Sequence, residues 1–348
     1  MIKFNRIEIT PEILKIIAEL DEFKGAWRFI SHLKPETLSS LKKIATIESI
    51  GSSTRIEGSK LADREVEALL SRLYLNSFRS RDEQEVVGYA LVCEEIFMSH
   101  DYISLTENYI KQLHAMLLQY SEKDERHRGE YKKLSNSVEA FDATGKSLGV
   151  IFQTTSTFET PLQMEELIDW TRQAIEHKEL HPLLVIGIFA VTFLAIHPFQ
   201  DGNGRLSRLL TTLLLLKTGY TYVPYSSLES VIEDNKEGYY LSLRRTQKTL
   251  NKDYPEWTSW LLFYLRALQK QKRVLESKIA IVNKELLEMP ELSAKIIELA
   301  HHRGRITITE ILDETKANRN TIKKYLEKLV IDTKLRRHGK GRGTWYTR

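Results

Sequence analysis

An imidazole, a carboxylate and two guanidinium groups stand within one short run, His-Pro-Phe-Gln-Asp-Gly-Asn-Gly-Arg-Leu-Ser-Arg at 197–208. His197 titrates near neutrality and can take a proton from an attacking hydroxyl. Asp201 is a hard oxygen ligand, suited to Mg²⁺ or Mn²⁺ carrying phosphates. Gly202, Asn203 and Gly204 let the backbone bend and approach a ligand closely. They also open a helix, whose free N–H groups and positive dipole end favour an anion. Arg205 and Arg208 follow at i,i+3 spacing, so both project from one helix face. These are the parts of a nucleotidyl or phosphoryl transferase. A helix-capping turn with two surface arginines is the plainer alternative. It leaves the joint placement of His197, Asp201 and both arginines unexplained.

Two apolar segments must hold this loop. Leu183–Ile196 carries no charge, is too short to span a bilayer, and fits a helix buried on all sides. His181-Pro182 precedes it, with proline suited to the first turn. Leu206–Leu216 resumes an apolar helical pattern behind the loop.

The run at 197–208 resembles the Fic family motif HPFx[DE]GNGRxxR at every fixed position. The resemblance implies a mainly α fold: a Fic-type helical core with a small β-hairpin flap. It implies a protein adenylyltransferase, which moves AMP from ATP to a Tyr, Thr or Ser hydroxyl of a target protein. In that scheme His197 deprotonates the target and Asp201 holds Mg²⁺ between the α- and β-phosphates. The Gly202–Asn203–Gly204 turn stabilises the α-phosphate, with Asn203 bonding it directly. Arg205 binds the β-phosphate and Arg208 the γ-phosphate. The intact Gly-Asn-Gly-Arg favours adenylylation over phosphate transfer.

Upstream, Ser53, Glu57 and Gly58 fit the family's inhibitory-helix pattern [ST]xxxE[GN], within a helix at about 45–58. The implied role of Glu57 is to pair with Arg208 and displace the triphosphate. A bidentate Arg–carboxylate bond in a partly dry pocket can compete with a phosphate contact. A helix-surface carboxylate beside a C-cap glycine is the other reading.

The rest of the chain is read around these motifs. Residues 62–100 carry helical periodicity, and Thr106–Tyr120 is amphipathic with Leu113 and Leu117 inward. Charges crowd 121–133, which reads as a solvated connection. Within it Arg128-Gly-Glu-Tyr-Lys132 resembles the Gly-x-[Tyr/Trp]-[Arg/Lys] stretch that precedes the Fic flap. Val138–Thr157 is strand-like, with Asp142–Lys146 as a turn signal. Its second arm includes Val150, Ile151, Phe152 and Gln153. In the family this flap registers the target by strand addition, a mode that tolerates varied sequence; an ordinary surface hairpin is the alternative. Asn235–Gln247 is a helix that matches the family's adenine pocket, through Tyr239, Tyr240 and Gln247. Aromatic pairs at helical spacing also occur simply as core.

Composition bounds the rest. The chain has 348 residues, 42% hydrophobic and 28% charged, ordinary for a protein with a real core. Its one cysteine, Cys93, excludes an internal disulfide and reads as a buried thiol. No run reaches transmembrane length and no signal-peptide core opens the chain, so no membrane partner and a cytoplasmic location are expected. Residues 291–348 hold 14 Lys and Arg against 7 Asp and Glu, a balance of +7, whereas the whole chain is +4. This tail resembles a small winged helix-turn-helix, in which Lys323, Lys324, Arg336, Arg337, Lys340 and Arg342 could meet phosphates. DNA binding and use of the unit for protein contacts or dimerisation both stay open.

The expected domains are a helical region at 1–105, a Fic core at 106–289 and the winged unit at 290–348. Two other functions are carried alongside adenylylation: removal of AMP from a modified protein, and a DNA-binding regulator whose Fic core senses nucleotide. A homodimer is possible.

Overall fold

A computed structural model describes the chain except residues 1–3, 5–6, 31–34, 73–77, 79, 142–146 and 288–290. It is mainly helical. In chain order the elements are α1 (Pro11–Ile30), α2 (Pro35–Ile56), α3 (Asp63–Leu70), α4 (Arg81–Ser99), α5 (Glu107–Leu117), β1 (Ser137–Phe141), β2 (Ser147–Gln153) and α6 (Thr160–His177). Then come α7 (Pro182–Ile196), α8 (Asn203–Lys217), α9 (Leu228–Asp234), α10 (Lys236–Gln247), α11 (Thr258–Leu287), α12 (Glu291–Arg303), α13 (Ile308–Thr315), α14 (Arg319–Ile331), β3 (Arg336–His338) and β4 (Trp345–Thr347).

Two compact units divide between Leu275 and Glu276, inside α11. The boundary expected at Met289–Pro290 lies outside the described residues.

The first unit is built on α7. Every residue from Leu183 to Ile196 is buried, as its lack of a polar face requires. Pro182 occupies the first turn, and the His181 ring accepts a hydrogen bond from Leu183 N–H. Helices α6, α8 and α10 pack against it. Helix α2 packs on α4, α8 and α9. Its Gly51-Ser52-Ser53-Thr54 segment forms helix poorly in isolation but is fully buried. Small side chains let α2 come close to its neighbours, so tertiary packing decides this stretch.

Two sequence expectations change. The helical pattern at 62–100 is broken into α3 and α4. Ser80 starts α4 with a capping box: its hydroxyl accepts from Glu83 N–H, and the Glu83 carboxylate accepts from Ser80 N–H. The charged stretch 121–133 is not a solvated connection throughout. Ser121, Asp124 and Lys132 are buried, because each finds a partner there. Ser121 Oγ donates to Asp124 at 2.5 Å, and Asp124 Oδ1 lies 2.8 Å from His127 Nε2.

Strands β1 and β2 form the expected antiparallel hairpin, with Ser137 opposite Gln153. The register then skips Ile151, a bulge that bends the arm. The turn expected at 142–146 lies outside the described residues.

In the second unit α12, α13, α14 and the β3–β4 pair enclose Ile296, Ile306, Ile311, Ile322, Leu326 and Tyr346. Ile306 and Tyr346 exchange backbone hydrogen bonds at 2.9 and 2.8 Å. Thr307 and Asn318 cap α13 and α14.

Candidate functional site

The loop between α7 and α8 is locked by its own side chains. His197 ends α7 in the left-handed region, with φ of 52°. That conformation costs a non-glycine residue about 1–2 kcal/mol, so its surroundings must hold it. Four residues on, the Asn203 side chain closes a ring with Phe199: it accepts from Phe199 N–H at 2.9 Å and donates to Phe199 O at 2.8 Å. Its amide is thereby engaged at both ends and 2% exposed, which leaves at most one N–H for the α-phosphate contact expected of it. Asp201 Oδ1 accepts from Gly202 N–H at 2.6 Å, and Gly202, with φ of 78°, starts α8.

His114, which sequence reasoning passed over, supports the loop from below. Gly129 N–H donates to its Nδ1 at 2.8 Å, so the proton sits on Nε2, which donates to Asp201 O at 3.0 Å. Its ring stacks on Phe199 with centroids 3.8 Å apart. Burial pushes its pKa down to about 4, so it is neutral at pH 7.

His197 is held in a defined state. Its Nδ1 faces Leu194 O at 3.3 Å, an acceptor only, so the hydrogen is on Nδ1 and Nε2 carries the lone pair. Burial pushes its pKa down to about 4, with Lys132 adding to the fall and Glu57 and Asp201 opposing it. The ring is therefore a neutral base over the physiological range.

The two arginines diverge. Arg205, 2% exposed, turns to Asp201 and Glu85, each 3.3 Å away. Arg208, 4% exposed, turns to the end of α2. Its Nε donates to Ser53 Oγ at 2.8 Å, and its Nη2 to Ser53 O at 3.0 Å and Glu57 Oε1 at 2.8 Å. The nearby Glu57 carboxylate outweighs burial and keeps this guanidinium firmly protonated. The same carboxylate lies against the first turn of α8: a methyl on Gly204 would overlap Oε1 and stand 2.9 Å from Cδ. Glu57 thus occupies the end of the helix where the sequence predicts an anion. Arg205 Nε and Nη1 and Arg208 Nη1 are buried donors with no hydrogen-bond partner.

The carboxylate of Asp201 is held ionised: burial opposes this, but Arg205, the Gly202 N–H, Lys123 and Arg81 outweigh it. Arg81 and Lys123 lie 3.2 and 3.7 Å from Oδ2. Among the described residues no group of three or more His, Cys, Asp or Glu side chains could hold a metal. Mg²⁺ fits here only in its usual manner, on one partly exposed carboxylate with water and phosphate oxygens completing the shell.

Of the expected adenine set, Tyr239 is buried against Trp260 and Phe263 and also faces Arg208. Tyr240 is half-exposed and donates to Ile56 O at 3.4 Å, beside the end of α2. Gln247 ends α10 two turns away, about 12 Å along the axis. Val150, Ile151, Phe152 and Gln153 all lie on β2. Lys132, also missed, is 3% exposed and donates to Ile196 O at 2.9 Å, next to His197. The Gly-x-Tyr-Lys stretch was its only sequence signal.

Residues 104–215 match the Fic/DOC family. A protein adenylyltransferase Fic from Drosophila willistoni is 28% identical over 206 residues, covering 59% of this chain and 38% of that protein. A probable protein adenylyltransferase from Aquifex aeolicus is 24% identical over 174 residues, covering 45% of this chain and 53% of that protein. The chain thus spans about two fifths of the length of the Drosophila relative and about half of the bacterial one. Among solved structures, a Fic family protein from Desulfovibrio desulfuricans G20 superposes with a TM-score of 0.64 at 25% identity, over 98% of this chain and 97% of that one. A Fic domain containing signaling protein from Bacteroides thetaiotaomicron superposes at 0.60 and 26% identity, over 76% of this chain and 95% of that one.

Proposed function

The chain carries a Fic/DOC domain, and from that premise we propose that it is a self-inhibited protein adenylyltransferase. The observation that carries this reading is the Glu57 carboxylate seated on Arg208 and on the first turn of α8. The guanidinium nitrogens on Arg205 and Arg208 that make no hydrogen bond support it, because phosphate oxygens would satisfy them; of these, Arg205 Nη1 has only the ion pair with Glu85.

His197 Nε2 takes the proton of a target Tyr, Thr or Ser hydroxyl, while Nδ1–H stays on Leu194 O and keeps the ring oriented. The hydroxyl oxygen attacks the α-phosphorus of ATP, and pyrophosphate leaves. The backbone N–H groups of Asn203 and Gly204 in the first turn of α8, and the remaining Asn203 side-chain N–H, face the charge that develops on the α-phosphate, while the Gly202 N–H stays on Asp201. Arg205 serves the β-phosphate and Arg208 the γ-phosphate once Glu57 has left. Tyr239, Tyr240 and Gln247 line the adenine side, and the β2 residues 150–153 receive the target chain. Asp201 would hold Mg²⁺, which would neutralise phosphate charge. With Glu57 in place Arg208 is occupied, and the γ-phosphate meets a carboxylate.

The test is AMP transfer from labelled ATP, read as self-modification. Glu57→Gly should raise it and His197→Ala should abolish it in that background. No gain in Glu57→Gly removes the inhibition, and no transfer in any form removes the enzyme. Incubation of the wild type with an AMP-labelled target separates the reverse reaction, AMP removal.

A second reading concerns the C-terminal unit, as a winged helix-turn-helix that binds duplex DNA. Arg319, Lys323, Lys324 and Lys328 on α14, and Arg336, Arg337 and Lys340 at the hairpin, are exposed. None is paired with a carboxylate among the described residues. Ion pairs of the unit among the described residues include Arg303–Glu314 and Lys295–Glu298, which lie elsewhere. A helix fits the major groove of DNA but not the narrow one of RNA. Retardation of a duplex at low salt, with affinity falling steeply as salt rises, tests it; absence of binding at low salt ends it.

A further inference from the structure

We propose that Lys132 is the positioning residue that ties both ends of the β1–β2 hairpin to the His197 corner, so that the hairpin and the imidazole keep one fixed relation. The inference rests on His197 being the transfer base.

The geometry is a set of hydrogen bonds on either side of His197. Lys132 Nζ donates to Asn136 Oδ1 at 2.9 Å, Thr154 Oγ1 at 3.0 Å and Ile196 O at 2.9 Å. Asn136 immediately precedes β1 and Thr154 immediately follows β2. Lys132 N–H donates to Pro198 O at 2.8 Å, and Asn136 Nδ2 to Phe199 O at 2.9 Å. Carbonyls on both sides of His197 are thus gripped from the hairpin stem. This grip holds His197 in the left-handed conformation, which is costly for a non-glycine residue.

The choice of lysine is costly. The side chain is buried, and no carboxylate among the described residues pairs with it. A buried charge without a counter-ion is disfavoured, and burial pushes this ammonium down to about 8. What the charge supplies is a third N–H. An ammonium has three donors for the three acceptors present, whereas a neutral amine has two. It also opposes protonation of His197, against Glu57 and Asp201, which favour it.

The experiment compares Lys132→Met and Lys132→Arg in full-length protein carrying Glu57→Gly. In the methionine variant kcat should fall about 100-fold, the loss expected for a reacting group misplaced by about 1 Å, with KM for ATP unchanged. The amides of 147–153 should exchange with solvent about tenfold faster, and labelled His197 should titrate at higher pH. Arginine should restore hairpin protection. It should also abolish the fall in kcat above pH 8 expected with lysine, because a guanidinium stays charged. A folded methionine variant with unchanged hairpin exchange and unchanged His197 titration overturns the proposal. If that variant does not fold, a decline above pH 8 that persists in the arginine variant overturns it instead. If no variant transfers AMP, the enzymatic reading fails, while exchange and imidazole titration still decide the role of Lys132.

Discussion

The Glu57–Arg208 pair makes a thermodynamic prediction as well as a kinetic one. Glu57→Gln keeps the shape and one acceptor oxygen but removes the charge. The pair is 2.8 Å long and joins a guanidinium side chain 4% exposed to a carboxylate side chain 32% exposed. Exposed pairs contribute less than about 1 kcal/mol, and breaking a fully buried pair costs about 3–5 kcal/mol. One buried and one part-exposed partner place this bond near 2 kcal/mol, as for other charge-assisted hydrogen bonds. The free protein should therefore melt roughly 3 °C lower in Glu57→Gln. If the γ-phosphate must displace that bond, the same 2 kcal/mol should appear as about 30-fold tighter ATP binding. Thermal melting without nucleotide and titration calorimetry with ATP measure the two effects. They should be opposite in sign and similar in size. A variant that loses stability but binds ATP no more tightly would falsify the competition, leaving Glu57 a structural residue.

Other expectations follow from single contacts. A methyl on Gly88 in α4 would overlap the Leu117 carbonyl oxygen at the end of α5, so Gly88→Ala should cost about 3 kcal/mol or more in urea denaturation; an unchanged midpoint would contradict the packing of these two helices. His114 titrates near 4 when folded and near 6.5 when unfolded, so the unfolded chain binds more protons between those values. Its contribution to stability is present above pH 6.5 and is lost as pH falls to 4, by about 3 kcal/mol, with His197 acting in the same direction. Urea midpoints at pH 7.5, 5.5 and 4 read this directly, and a flat profile would refute the buried neutral imidazoles. Arg55 grips Glu233 through two nitrogens and Asp63 through the third, so Arg55→Ala should loosen the end of α2. The expected loss is about 1 kcal/mol, with a partial rise in AMP transfer, and transfer at the wild-type level would refute the latch.

The ease of reading varied with how local each feature is. The uncharged run 183–196 could only be a buried helix, whereas the caps at Thr307 and Asn318 came from the structure. The continuous pattern at 62–100 misled, because the Ser80 capping box breaks a helix that periodicity alone would extend. The stretch 121–133 misled in the opposite direction. Its charges suggested water, yet Asp124 and Lys132 are satisfied inside by partners that include a carbonyl 64 residues away. Arg205 and Arg208 share a helix face by spacing, but they turn to partners on different helices, Glu85 on α4 and Ser53 and Glu57 at the end of α2.

By itself the sequence determined the chemical inventory of the loop, the two apolar helices that carry it, and the candidate brake at Ser53 and Glu57. These are consequences of residue type and short spacing, which act along the chain. Only the tertiary structure decided which groups are neutral, which are paired and which have lost water. His197 is a neutral base because α7 and Lys132 surround it, and Glu57 reaches Arg208 because small residues let α2 pack close. Desolvation and charge pairing depend on what approaches from elsewhere in the fold, and no local pattern encodes that approach.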